Sequence, residues 1–191
     1  MQKIYLIRHG ETEWTLSGQH TGLTDISLTP NGKQQAHLLK KKLKDHSFQA
    51  VFVSPLKRAY ETCQIAGFAE QALVDSRLME WNYGDYEGRT STQIHVDHPH
   101  WNIFNNGAPH GESVADIAER TKNILHSFQE FNNDIAVFSH GHFLRALAVS
   151  FIELEIEKGK HFSLFPGAVS ILTKEKTVPT ISLWNDISHL L

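Results

Sequence analysis

Along most of this chain, apolar residues fall in short unbroken runs rather than in strict alternation. Ile4-Tyr5-Leu6-Ile7, Val51-Phe52-Val53 and Ile135-Ala136-Val137-Phe138 each stop abruptly at polar residues, the pattern of strands buried on both faces. Between these runs the apolar period lengthens to three and four. Ala36, Leu39 and Leu43 mark a helix with Thr29 as N-cap and Pro30 at its first position, giving way near His46. Ala59, Cys63 and Ala66 mark a second helix, which Ser54-Pro55 is predicted to start in the same way. Val114, Ile117, Ala118, Ile124, Leu125 and Phe128 form the apolar face of a long helix capped by Ser113.

Shorter signals fill the gaps. A third strand is predicted at Ala72-Leu73-Val74, a helix over 144–154, and strands over 169–172 and 180–184. Thr90 and Gln93 have capping-box spacing for a short helix that ends before Pro99. The stretch after Gly10 reads as a loop, and the segment 99–112, with Gly107, Pro109 and Gly111, as irregular. Strands alternating with helices predict an α/β fold, a three-layer sandwich with a mostly parallel, doubly wound sheet, and residues 1–191 read as a single domain.

Composition removes several classes of function. Forty per cent apolar and 20% charged residues describe a soluble globular chain, and a net charge of −3 gives no overall bias toward nucleic acid or anionic membrane. Lys40-Lys41-Lys42-Leu43-Lys44 reads as a solvated helix face. No run approaches the roughly 20 apolar residues that span a bilayer, and no apolar signal core follows Met1-Gln2-Lys3. With Cys63 as the single cysteine, a cytoplasmic location is expected.

Ligands of open α/β sheets bind beyond the carboxyl ends of the strands. Three strands lead there into Arg8-His9-Gly10-Glu11-Thr12, Ser54-Pro55-Leu56-Lys57-Arg58 and Ser139-His140-Gly141-His142. Two arginines and at least two histidines beside helix N-termini suit phosphate. Arg8 and Arg58 can clamp a phosphoryl group from two sides, and His9, neutral at cytosolic pH, is a reasonable in-line nucleophile. Gly10 is expected to leave room for substrate against the backbone. A protonated His140 would add charge as the equatorial oxygens load up. A leaving alkoxide also needs an acid: Glu80 is the candidate among the rival carboxylates Glu11, Glu87 and Glu112, since flanking aromatics and a phosphate dianion would both help it keep a proton. Trp14, Trp81, Tyr83 and Tyr86 either line the pocket or pack the core, and His142 either supports the site or merely begins a helix.

Arg8-His9-Gly10-Glu11-Thr12, followed in order by Arg58, Glu80 and His140-Gly141, resembles the signature of the histidine phosphatase superfamily, its phosphoglycerate-mutase-like branch. The resemblance covers nearly the whole chain. It implies a phosphoglycerate-mutase-like fold, a phosphorylated His9, Glu80 as proton donor and acceptor, and a phosphate pocket of Arg8, Arg58 and His140. It also implies substrate contacts from Thr21, Gly22, Trp81, Tyr83 and Gly141, and from Thr15, where many members have asparagine. Thr12-Glu13-Trp14, Ser17 to Asp25, Glu80 to Gly88 and Trp101-Asn102-Ile103 look like the fungal sedoheptulose-1,7-bisphosphatase group. That similarity implies a sugar phosphate or bisphosphate substrate.

The reading is therefore a phosphatase for a small phosphorylated molecule, with no cofactor, metal, nucleic acid or membrane partner, and with a homo-oligomer left open. Three alternatives compete with it. A phosphoglycerate-mutase-type transferase would need basic residues for a substrate carboxylate, and the stretch from Thr90 to Asp116 has no Lys or Arg. A metal-dependent hydrolase would use His95, Asp97 and His98. A phosphate-recognition module would have lost catalysis.

Overall fold

The computed structural model describes residues 2–191. Its strands are β1 (Ile4–Arg8), β2 (Ala50–Val53), β3 (Ala72–Val74), β4 (Ile135–Ser139), β5 (Val169–Glu175) and β6 (Val178–Asp186). They form one sheet in the order β3-β2-β4-β1-β5-β6. The first four are parallel where they pair, while β5 runs antiparallel to β1 and β6 antiparallel to β5. A side-chain period of two sends Ile4 and Leu6 into one core with Phe128, Phe143 and Leu147. Tyr5 and Ile7 enter the other with Leu39, Leu43 and Cys63. Helices α2 (Pro30–Leu43) and α3 (Lys57–Ile65) cover one face, α6 (Val114–Phe128) and α7 (Gly141–Phe151) the other. This is the predicted three-layer α/β sandwich, and covering both faces is why the central strands lack polar alternation.

The caps read from the sequence form. The Thr29 hydroxyl accepts from Gly32 N–H at 3.0 Å, with Pro30 at the first helical position. Ser113 and Asp116 close a capping box on α6, and Thr90 and Gln93 close another on α4 (Ser91–Asp97). Strands β5 and β6 run longer than the 169–172 and 180–184 expected, and four helical features differ. The segment after Gly10 contains a helix, α1 (Glu13–Ser17), started by a Thr12–Thr15 capping box and ended by Gly18 at φ 76°. Helix α5 (Ile103–Asn106) lies inside the segment read as irregular, capped by the Asn102 side chain. Helix α3 starts at Lys57 with Leu56 as N-cap, so Ser54 does not cap it as Thr29 caps α2. Helix α7 begins at Gly141, three residues early, and ends at Phe151.

A third apolar cluster, including Trp81, Tyr86, Trp101, Phe104 and Ile117, packs beside the carboxyl ends of the strands. It supports the segment that carries Glu80. No helix among the described residues is long and apolar enough to cross a membrane.

Candidate active site

Sheet register builds the site. The pairing of β1 with β4 sets Arg8 opposite Ser139, so the next residues, His9 and His140, leave the sheet side by side with ring centroids 5.2 Å apart. The pairing of β2 with β4 sets Val53 opposite Phe138, which brings Ser54 to the same edge. His9 is 4% exposed. Its Nδ1 lies 2.7 Å from the Gly10 carbonyl; a carbonyl only accepts, so Nδ1 carries the proton and Nε2 carries the lone pair. Burial, then the charges of Arg58 and Arg8, hold the His9 pKa well below the ordinary histidine value. The ring is a neutral imidazole at neutral pH.

Arg8 donates through Nη1 to the Leu164 carbonyl, but its Nε is buried with no protein partner. Gly141 makes room for this guanidinium: a Cβ there would lie 3.2 Å from Arg8 Cζ and Nε. Arg58 is fully buried. It donates to the carbonyls of Thr24 (3.0 Å), Thr21 (3.0 Å) and Gly22 (2.9 Å), and through Nε to His140 Nδ1 at 3.1 Å. His140 Nδ1 is therefore an acceptor, and its Nε2–H donates to the Ser54 hydroxyl at 2.7 Å. Burial, then Arg58, depress the His140 pKa well below its ordinary value. The free site thus keeps His140 neutral, and the charge beside it belongs to Arg58.

Glu80 is 5% exposed. Its Oε1 accepts from Trp81 N–H (2.9 Å) and Phe143 N–H (2.8 Å), and Oε2 from His142 N–H (3.0 Å). The His142 and Phe143 amides are orphan donors of the first turn of α7, whose N-cap His140 makes no side-chain cap. The Glu80 side chain, 62 and 63 residues upstream of these amides, supplies that cap at the Gly141 start of α7. Beside it, the Tyr83 hydroxyl and His142 Nδ1 share a hydrogen bond at 2.5 Å. Burial raises the Tyr83 phenol and lowers the His142 imidazole, so both are neutral.

These groups face a cavity of about 190 Å³ whose walls include Arg8, His9, Glu80, Tyr83, His142 and Arg145. A model of one protein family, the histidine phosphatase superfamily (branch 1), matches residues 4–187. The chain belongs to this superfamily. An acid phosphatase of Mycobacterium tuberculosis is 34% identical over 191 residues, covering 98% of this chain and 94% of that protein. Sedoheptulose 1,7-bisphosphatase of Saccharomyces cerevisiae is 33% identical, over 82% of this chain and 69% of that one. The crystal structure of phosphoserine phosphatase from Entamoeba histolytica in complex with 3-phosphoglyceric acid superposes with a TM-score of 0.88 at 30% identity, covering 100% of both chains. The histidine phosphatase superfamily is a family of phosphomonoester-transforming enzymes, and the mixed, mostly parallel sheet is its fold.

Around this candidate site, the residues expected from the sequence are placed unevenly. Arg8, His9, Glu80, Thr15, Thr21, Tyr83 and Gly141 line the cavity. Arg58 and His140, expected in the phosphate pocket, are fully buried and do not line the cavity; the His140 ring lies 5.2 Å from that of His9. Gly22 lies against Glu87, whose Oε1 accepts its N–H at 2.9 Å. Trp81 is turned away from the cavity, its indole N–H given to the Glu112 carbonyl at 2.9 Å and its ring edge-on to Phe104. The Thr15 hydroxyl is spent inside the α1 cap, donating to the Thr12 carbonyl at 2.7 Å. Gly10 is required by packing rather than by substrate, since a Cβ there would lie 2.5 Å from the Gly32 carbonyl oxygen. Trp14 lines the cavity, whereas Tyr86 is buried in the third cluster.

Glu11, Glu87 and Glu112, the rival carboxylates, are engaged elsewhere: with Thr29 and Asn31, with Gly22 and Thr24, and with Asn82 and Arg120 respectively. The histidines and aspartate considered for metal do not converge. His95 Nε2 pairs with the Trp101 carbonyl at 2.9 Å and Asp97 with Arg89 at 3.2 Å. Among the described residues, no group of three His, Cys, Asp or Glu side chains is placed to hold a metal ion. Sequence reasoning missed His20, Gln19 and Arg145, all cavity residues. Arg145 carried a usable signal, lying three residues after His142 and hence on the same helix face.

Proposed function

We propose that this chain hydrolyses a small phosphate monoester, a sugar phosphate or bisphosphate, in two steps through a phosphorylated His9. The observation that carries the reading is the pairing of a neutral, tautomer-fixed His9 with the unpartnered buried N–H of Arg8. A buried donor without an acceptor is costly, and a phosphoryl oxygen beside the nucleophile removes that cost.

In the first step His9 Nε2 attacks phosphorus in line, the ester P–O bond breaks, and Glu80 passes a proton to the leaving oxygen. Arg8 donates to the equatorial oxygens, with the buried Arg58 charge behind them. In the second step Glu80 takes a proton from water, water oxygen bonds to phosphorus, and the P–N bond breaks to release phosphate. Nε2 regains its lone pair while Nδ1–H stays on the Gly10 carbonyl throughout.

The sugar phosphate assignment is supported by the 33% identity to the yeast bisphosphatase and by aromatic walls at Trp14 and Tyr83. A second reading, a phosphorylated hydroxy or amino acid, is favoured by the cavity size. At about 190 Å³ it falls below the roughly 300–1,000 Å³ of pockets for larger ligands. Phosphate release from a panel of metabolite monoesters tests the proposal, together with acid-quenched labelling by a ³²P-ester. Label on His9 and loss of turnover in His9→Ala are expected. Undiminished turnover in that variant would refute it.

A further inference from the structure

A positive group stands in the cavity with no task in the two steps above. Arg145 Nε donates to the Gly159 carbonyl at 3.0 Å, and its guanidinium stacks on Phe104, with Cζ 4.5 Å from the ring centroid. These two contacts fix the plane of the fork and leave both Nη atoms, with four N–H groups, free of any hydrogen-bond partner among the described residues. Other arginines are committed: Arg120 to Glu112, Arg77 to Asp75, and Arg89 to Asp97. No carboxylate reaches Arg145 within ion-pair distance among the described residues.

The position of that fork is informative. Gly141 abuts the Arg8 guanidinium, and Arg145 lies four residues further along α7, about 6 Å along the helix axis. Both arginines line the same cavity, and the carboxyl group among its lining residues, Glu80, is already engaged with three backbone N–H groups. Tyr83, His142 and His20, also cavity residues, are neutral and can bridge the two ends with hydrogen bonds. Depletion of Lys and Arg from 90–116 therefore does not leave the site without a second cation, because α7 supplies one.

We infer that Arg145 forms a second oxyanion subsite, so that the substrate carries another anionic group, a carboxylate or a second phosphate, a few bonds from the reacting phosphoryl. This rests on the phosphatase reading for the location of the first phosphate, and it narrows the substrate to doubly anionic small metabolites. A planar fork held by stacking matches either oxyanion in a two-point contact.

The test is calorimetric binding to the His9→Ala chain, which needs no turnover, with two matched pairs of ligands. O-Phosphoserine against O-phosphoethanolamine isolates the carboxylate. Fructose 1,6-bisphosphate against fructose 6-phosphate isolates the second phosphate. In at least one pair the doubly anionic ligand is expected to bind more tightly. Adding Arg145→Gln should cut that preference roughly 10- to 100-fold, the range of charge-assisted hydrogen bonds, with Arg145→Lys falling between. Each preference is a ratio on one preparation, so loss of folded protein cancels. The pair that responds names the second oxyanion. Preferences that stay within about threefold of the His9→Ala value in both Arg145 variants overturn the inference, as does the lack of any preference before substitution. Failure of the phosphatase reading would show separately, as absence of turnover by the unmodified chain.

Discussion

Lowering the pH should unfold this protein through the histidines that build its site. His9 and His140 are 4% and 0% exposed, and burial plus arginine charge depress both pKa values. In the native chain they stay neutral, whereas in the unfolded chain they take up protons below about pH 6.5. Unfolding therefore binds protons in that window. The stability these groups carry is fully present above pH 6.5 and is lost as pH falls. Each gives up to about 1.4 kcal/mol per pH unit once the unfolded chain is protonated, so the two together give about 3 kcal/mol per unit. His20, pulled down to about 4 mainly by burial, acts in the same direction, as does His142, whose side chain is 25% exposed to the cavity and so weighs less. Against a typical total of about 5–15 kcal/mol, one pH unit is a large loss. Urea unfolding at pH 7, 6, 5.5 and 5 in phosphate-free buffer, followed by tryptophan fluorescence, measures the slope. A fall below about 1 kcal/mol per unit between pH 6 and 5 would show that these imidazoles protonate inside the intact fold, against the burial argument.

Three substitutions probe other contacts. Glu80→Gln should lower kcat for alkyl phosphates about 10²- to 10⁴-fold but that for p-nitrophenyl phosphate much less, since nitrophenolate leaves without a proton; equal losses would remove Glu80 from proton transfer. Ser54→Ala leaves the buried His140 Nε2–H without its acceptor, at about 1–3 kcal/mol, which scanning calorimetry should register as a Tm lower by roughly 2–12 °C. Glu87→Gln loosens the segment it holds through the Gly22 and Thr24 amides, so KM should rise about tenfold with a smaller change in kcat, and steady-state kinetics showing the reverse split would contradict that role.

Local chemistry made much of this molecule legible in advance. Short unbroken apolar runs such as Ile135 to Phe138, bounded by polar residues, fit strands covered on both sides, and Thr29-Pro30 satisfies a helix start with groups three residues apart. Arg8, His9, Arg58 and His140 could be placed at one sheet edge because the segments that carry them directly follow such strands, and the resemblance to a family raised Glu80 above its rival carboxylates. Each of these inferences rests on interactions spanning a few residues or on the rule that parallel strands share a carboxyl edge.

Packing decided what those residues touch. Whether an arginine meets substrate or backbone depends on which carbonyls arrive beside it: Arg58 meets those of Thr21, Gly22 and Thr24, from a segment more than 30 residues away. Glu80 reaches the first turn of α7 across 62 and 63 residues, and Ser54 is diverted from a helix cap to His140 by the β2–β4 register. The Arg145 guanidinium is oriented by the Phe104 ring and the Gly159 carbonyl, contacts that packing between separate segments provides. Long-range hydrogen bonds and charge separations are set by three-dimensional register, which local residue preferences constrain only through the whole fold.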